Sequence, residues 1–151
     1  MQVHATARDV KAATSLVALA AAHPSRLTVH EVDFTSAPSL TTLAAAMPQF
    51  DRLIVNAAQC TTFNSSLTDT NEDAVPHLLA MFDTNVVAPI KTVLALAPQL
   101  RQGGKVVLIS SHVGCITTAT QAASMPAAYA VSKVSRRNDV EACRVPAAPV
   151  D

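Results

Sequence analysis

The segment Leu53-Ile54-Val55-Asn56-Ala57-Ala58 joins a short apolar run to a polar residue at its carboxyl end. A run of this length, rich in β-branched residues, predicts a buried strand over 52–56. Outward from it, the same pattern predicts strands over 3–6, 27–34 and 105–110, and helices over about 9–22, 40–46, 74–100 and around 129–133. Strands that alternate with helices predict an α/β fold with a parallel sheet and helices on both faces.

Polar side chains stand at or just past the carboxyl end of each predicted strand. They are Arg8, Asp33, Asn56 and Ser111. Parallel sheets of this kind bind ligands beyond the carboxyl ends of their strands. The sequence therefore predicts a ligand site at this edge of the sheet.

The composition indicates a well-buried globular domain. Of the 151 residues, 50% are hydrophobic and 15% are charged, and the formal net charge is zero. Without a basic surface, neither nucleic acid nor an anionic membrane is expected as a partner. No apolar run is expected to span a membrane.

The cysteines and histidines give no sign of a disulfide framework or a metal site. Cys60, Cys115 and Cys143 are widely spaced and form no CxxC pair. The histidines show no metal-ligand spacing either and are expected to be structural or surface residues. This pattern suits a reducing, cytoplasmic setting.

Chemistry is indicated most directly by Tyr129-Ala-Val-Ser-Lys133, which contains the only tyrosine of the chain. On a helix, positions i and i+4 share a face, so the Lys133 ammonium is expected close to the Tyr129 phenol. A nearby positive charge favours the phenolate and suits the phenol for acid/base catalysis. Taken alone, the two could also be an ordinary surface pair.

Six segments, in order, resemble the short-chain dehydrogenases/reductases, and most closely the branch of the C-factor and sniffer carbonyl reductases. The resemblance runs from about residue 3 to residue 138. Its segments are Ala-Thr-Ala-Arg-Asp (5–9), Val-Asp-Phe-Thr (32–35), Leu-Ile-Val-Asn-Ala-Ala (53–58), Phe-Asp-Thr-Asn-Val (82–86), Ile-Ser-Ser-His-Val-Gly (109–114) and Tyr-Ala-Val-Ser-Lys (129–133).

The resemblance implies a catalytic set. Tyr129 would exchange a proton with the substrate oxygen, and Lys133 would favour its phenolate and hold the nicotinamide ribose. Ser111 would hydrogen-bond the substrate oxygen. Asn85 would hold a water that continues a proton relay from Lys133. A Ser111-His112 hydrolase is the weaker interpretation, because no GxSxG elbow or orienting acid accompanies the pair.

The resemblance also implies a nicotinamide cofactor. Asp33 and Phe34 would meet the adenine, and Asn56, Ala57 and Ala58 would line the wall beside it, while Tyr129 and Lys133 would contact the other end. Arg8 stands where relatives that prefer NAD carry an acid. Since arginine recognises phosphate well, NADP(H) is expected rather than NAD(H).

The chain departs from the family at both ends. Glycine occurs only at 103, 104 and 114, so the TGxxxGxG cofactor loop is absent. The expected fold is therefore a partial Rossmann-like doubly wound sheet made of family strands 2 to 5 and truncated at both ends, with a partial domain at 1–138 and an irregular tail at 139–151. Without the central first strand, the strands over 3–6 and 52–56 would pair directly, or another chain would fill the gap, or the chain would be an incomplete gene product.

The function implied is NADP-dependent reduction of a small-molecule carbonyl, or oxidation of an alcohol. The alternative is an inactive truncated homologue that serves as a partner-binding or oligomerising module. Under either interpretation a homo-dimer or tetramer is expected, because relatives pair through the long helix and the tyrosine-bearing helix.

Overall fold

The computed structural model describes residues 1–60, 74–115 and 127–135. By its internal contacts the chain divides into two compact units, residues 1–47 and the residues from Pro48 onward. Each unit has its own pair of parallel strands. The α/β class with parallel pairing and flanking helices is therefore confirmed.

The first unit is a β-α-β-α segment. Its elements are β1 (Val3–Ala7), α1 (Thr14–Ala22), β2 (Leu27–Glu31) and α2 (Ala37–Ala46). The two strands pair in parallel from Val3↔Leu27 to Ala7↔Glu31. The Ser36 side chain caps α2 by accepting from the Ser39 N–H, and Leu40 and Leu43 of α2 are buried.

The second unit contains more helical elements than the first. Its elements are β3 (Phe50–Val55), α3 (Ala74–Phe82), a π-helical segment (Asp83–Val87), α4 (Ala88–Leu96), a 3-10 turn (Ala97–Gln99), β4 (Leu100–Leu108), a second 3-10 turn (His112–Gly114) and α5 (Ala127–Ser135). Strands β3 and β4 pair in parallel, from Arg52↔Lys105 to Val55↔Leu108. The buried residues Val55, Val93 and Leu96 belong to its core.

The helix predicted over 74–100 is interrupted by the π-helical segment. It begins at Asp83 and ends at Val87, and the buried Asn85 lies within it. Pro89 follows in the first turn of α4, where a missing backbone N–H is tolerated. The proline therefore lies at the start of α4, where the π-helical segment has already interrupted the regular hydrogen bonding.

One helical run of the described residues is long and apolar enough to cross a membrane by length and composition alone. The helical run Val75–Gln99 has 25 residues. An 18-residue stretch within it has a mean hydropathy of 1.4, and 28% of that stretch is buried in the protein. The packed core helix of a soluble protein meets the same two criteria. The run therefore carries little weight as a membrane signal.

Several predicted boundaries needed correction. The first helix begins at Thr14 and not near Asp9, because the Asp9 carboxylate accepts from the Ala12 N–H and closes a turn before the helix. Strand β2 ends at Glu31, since Asp33 turns the chain by accepting from the Thr35 N–H. Strand β4 begins earlier than expected, at Leu100, and its glycines lie in a register irregularity opposite Phe50–Arg52. The loops predicted at 64–71 and before residue 127, and the tail at 139–151, lie outside the described residues.

The described strands form two ladders. In the part of the chain that the structure describes, β1 pairs with β2 and β3 pairs with β4, which gives two sheets of two strands.

Candidate active site

Tyr129 and Lys133 lie together on α5, as their spacing predicted. The Lys133 ammonium nitrogen is 5.4 Å from the centroid of the Tyr129 ring. The lysine is only 2% exposed, and its Nζ donates to the Ile109 carbonyl oxygen at 3.4 Å. A lysine buried to this degree is rare in proteins unless it has partners. The arrangement is therefore more than a surface pair.

Gly114 lets the segment after β4 approach α5 closely. A Cβ at this position would lie 2.8 Å from the backbone carbon and oxygen of Lys133. Contacts this short exclude any side chain, so glycine is required by close approach and not by an unusual φ angle. Ser111, half-buried, stands between Ile109 and Gly114, which both contact Lys133.

Asn85 is fully buried and anchors the loop that follows β3. Its Oδ1 accepts from the Gln59 N–H at 2.7 Å, and its Nδ2 donates to the Gln59 carbonyl at 2.8 Å. The same nitrogen donates to the Ser132 hydroxyl on α5 at 3.0 Å. The amide thus connects the π-helical segment, the loop after β3 and the helix of Tyr129.

This geometry limits how Asn85 can act. Both amide hydrogens and one lone pair of Oδ1 are engaged by Gln59 and Ser132. A water of the expected proton relay would have to use the second lone pair of Oδ1 or the backbone carbonyl. The Asn85 side chain is above all a link between backbone segments.

Two members of this site, Gln59 and Ser132, were not predicted from the sequence. Gln59 contributes its backbone to Asn85, and its Oε1 accepts from the Thr84 hydroxyl at 3.2 Å. Backbone contacts leave no side-chain pattern to detect. Ser132 could have been noticed, because a serine inside a predicted helix often forms a side-chain hydrogen bond to the backbone.

The residues predicted to line the cofactor wall follow β3 directly. Asn56, Ala57 and Ala58 are exposed, and the half-buried Gln59 comes next. The two hydrogen bonds between the Asn85 side chain and the Gln59 backbone fix the end of this exposed stretch. Its backbone and small side chains are accessible to a ligand.

In the first unit, Arg8 and Asp33 follow β1 and β2 and influence each other electrostatically. Hydrogen bonds from the Thr35 hydroxyl and N–H lower the pKa of the Asp33 carboxyl, and the positive charge of Arg8 lowers it further, although desolvation acts in the opposite direction. Arg8 is exposed and Phe34 is half-buried. The unit thus presents a cation and an ionised carboxylate beyond the ends of its strands.

Glu31 holds the loop that carries Arg8. Its Oε2 accepts from the Val10 N–H at 3.2 Å. The loop is therefore tied to the end of β2.

For metal ions, the described ranges contain no group of three or more His, Cys, Asp or Glu side chains that could serve as ligands.

The fold and the Tyr129/Lys133 pair agree with the comparison to known families. The family profile described as short chain dehydrogenase matches residues 1–148. The chain belongs to the short-chain dehydrogenase family. No curated protein is similar enough to count as a match.

Solved structures of the same family share the fold. A carbonyl reductase from Pseudomonas aeruginosa PAO1 in complex with NADP has a TM-score of 0.80 and 27% identity, covering 93% of this chain and 63% of its own. The carbonyl reductase sniffer of Caenorhabditis elegans has a TM-score of 0.76 and 26% identity, over 89% and 63%. A short-chain dehydrogenase from Streptomyces avermitilis has a TM-score of 0.70 and 28% identity, over 93% and 50%. The chain therefore spans between half and two thirds of the length of these relatives.

Proposed function

We propose that the chain is an NADP(H)-dependent oxidoreductase that reduces a small-molecule carbonyl or oxidises the corresponding alcohol. The observation that carries the proposal is the buried Lys133 ammonium, 5.4 Å from the centre of the Tyr129 ring. This arrangement holds a buried cation beside the only tyrosine of the chain, the residue proposed to exchange a proton with the substrate.

The residues present fit part of the cofactor. Arg8, Asp33 and Phe34 would hold its adenosine end, Asn56 to Ala58 would line it, and Lys133 would bind the nicotinamide ribose. Residues 1–102 contain no glycine, so within this stretch no glycine-rich loop is offered to the pyrophosphate. When bound, the nicotinamide would supply or accept the hydride.

The chain's own residues supply the proton chemistry. In the reducing direction the Tyr129 hydroxyl donates its proton to the carbonyl oxygen, while the Ser111 hydroxyl donates a hydrogen bond to the same oxygen and stabilises the developing negative charge. Lys133 stabilises the resulting phenolate. Asn85 holds the loop after β3 against α5 and is proposed to support a water that returns the proton.

NADP(H) is proposed over NAD(H) on charge. Arg8 is exposed beyond β1 and is held by a loop tied to Glu31. A guanidinium at this place suits a 2′-phosphate. The Pseudomonas carbonyl reductase with the same fold was solved with NADP bound, which supports the choice.

A homo-dimer or tetramer is proposed from the apolar side chains that the second unit exposes. Leu79 and Leu94 of the long helical run are 64% and 70% exposed, and Val131 and Val134 of α5 are exposed as well. Burial of such residues against a second copy would remove apolar surface from water. A cytoplasmic location remains proposed on cysteine usage alone.

The second candidate function is an inactive homologue that acts as a partner-binding or oligomerising module. One observation favours it: the exposed apolar side chains Leu79, Leu94, Val131 and Val134 of its helices, which suit burial against a partner. This candidate retains the fold and the exposed apolar helices without cofactor turnover.

A calorimetric titration of the chain with NADPH and then NADH separates the two candidates. The enzyme is expected to bind NADPH with a dissociation constant below about 1 mM, or about −4 kcal/mol. Arg8→Ala should lose most of the preference for NADPH, while Arg26→Ala, an exposed arginine of the same unit, should keep it. A folded chain that binds neither nucleotide would exclude the oxidoreductase.

A further inference from the structure

We infer that Ser132 is a positioning residue, whose buried hydroxyl holds the backbone of Tyr129 to the loop after β3 through Asn85. The inference rests on the proposed function for its catalytic consequence. Its structural part rests on four hydrogen bonds within the second unit. Neither the Tyr129/Lys133 spacing nor the family match assigns this role.

The directions of these hydrogen bonds follow from one fixed point, the backbone of Gln59. Its N–H can only donate, so the Asn85 atom at 2.7 Å is the amide oxygen. Its carbonyl can only accept, so the Asn85 atom at 2.8 Å is the amide nitrogen. The amide therefore has one possible orientation.

The orientation of Asn85 then sets that of the Ser132 hydroxyl. Because Nδ2 donates to Oγ at 3.0 Å, the Ser132 proton points elsewhere, and Oγ donates it to the Tyr129 carbonyl at 2.8 Å. The hydrogen bonds from Gln59 through Asn85 and Ser132 to Tyr129 thus form a series. In it, the donor or acceptor role of each group fixes the role of the next.

Burial makes the series costly to break. Asn85 and Ser132 are both 0% exposed, so water cannot replace a lost partner. A buried donor left without an acceptor is destabilising, because nothing compensates the loss of its hydration. Relief of that cost requires α5 or the loop after β3 to move, and either movement changes the position of Tyr129 relative to residues 56–58.

The chain offers a matched control one turn further along α5. The Ser135 hydroxyl also donates to a helix carbonyl, that of Val131 at 3.0 Å, but this contact is exposed. Ser132→Ala and Ser135→Ala remove the same atom from the same helix. Only the first removes an acceptor from Asn85.

The experiment measures position and catalysis separately. Tyr129 is the only tyrosine, so protein labelled at tyrosine gives a single set of ring NMR signals that reports on this residue. Ser132→Ala is expected to shift that ring signal and to speed hydrogen exchange of the Gln59 amide. Ser135→Ala should leave both as in the wild type, and Ser132→Thr, which keeps the hydroxyl, should restore them.

In turnover, Ser132→Ala is expected to lower kcat about tenfold or more, because small displacements of a reacting group are costly, with a smaller effect on KM. If the wild type does not turn over, the proposed function fails, while the ring signal and the Gln59 amide still decide the role of Ser132. Unchanged ring signal and unchanged exchange in a folded Ser132→Ala protein would overturn the inference.

Discussion

The two units use their polar residues in opposite ways. In the second unit, Asn85, Ser132 and Lys133 are buried and engaged in contacts within the protein. In the first unit, Arg8 and Asp9 are exposed and their neighbour Glu31 lies at the surface. Buried polar groups need defined partners, whereas exposed ones are satisfied by water. The second unit is therefore built for fixed geometry, and the first exposes charged side chains to solvent.

The difference extends to packing. Helix α1 has no buried residue, and the buried hydrophobic residues of the first unit are Val32, Leu40 and Leu43. In the second unit Met81, Ala88, Val93, Leu96 and Val113 are buried along the helices and the turn after β4. A substitution in the second unit should therefore cost more than a comparable one in the first.

The largest expected loss of stability comes from Asn85→Ala. It removes the partners of the Gln59 N–H, the Gln59 carbonyl and the Ser132 hydroxyl at a buried position, and should lower the free energy of unfolding by about 3 kcal/mol or more. Urea unfolding measures it. The comparison in the first unit is Thr35→Val, which removes the hydroxyl bond to Asp33 at a half-buried site and should cost about 1 kcal/mol. Equal losses for the two variants would contradict the contrast between the units.

Gly114→Ala should follow, with a loss of about 2–3 kcal/mol, because the added methyl would overlap the backbone of Lys133. Gly103→Ala is the contrasting variant. Gly103 has φ 75° and open space around its Cβ position, so the cost there is conformational, about 1 kcal/mol. Only Gly114→Ala should disturb the Tyr129 ring signal. A Gly114→Ala protein with wild-type stability would show that α5 and the turn after β4 are not in close contact.

The sequence predicted what depends on local pattern. Four strands and the helices between them were found from apolar runs, and Tyr129 and Lys133 were placed on one face by helical spacing alone. It did not predict the Gln59–Asn85–Ser132 series, because its members are 26 and 47 positions apart and one of them acts through its backbone. The turn at Asp9 was also missed, since a carboxylate before an apolar run can either cap a helix or close a turn.

A pair of histidines in the first unit was not predicted either. His4 and His30 lie on neighbouring strands, with Nδ1 of His4 3.0 Å from Nε2 of His30. The two rings are stacked with centroids 5.3 Å apart. Burial lowers the pKa of His30, and the charge of His4 lowers it further.

This pair predicts a smaller effect, which depends on pH. Because the folded pKa of His30 is below 6.5, the unfolded chain binds more protons as pH falls past that value. The contribution of neutral His30 to the free energy of unfolding is complete above pH 6.5. It is lost as pH falls through the folded pKa of His30. Unfolding midpoints measured well above pH 6.5 and about one unit below it should differ less in His30→Gln than in the wild type. The exposed His23, changed to Gln, serves as control; if His23→Gln flattens the pH dependence as much as His30→Gln does, the pair is not its source.

The proposed carbonyl chemistry of Tyr129 is tested by single-turnover reduction of a reactive carbonyl by NADPH. We expect the wild type to consume NADPH, and Tyr129→Phe to bind NADPH with similar affinity while its rate falls about 100-fold or more, as is typical when a general acid is removed. A Tyr129→Phe protein that reduces the carbonyl at the wild-type rate would contradict the account, and so would a folded wild type that binds NADPH without reducing any carbonyl.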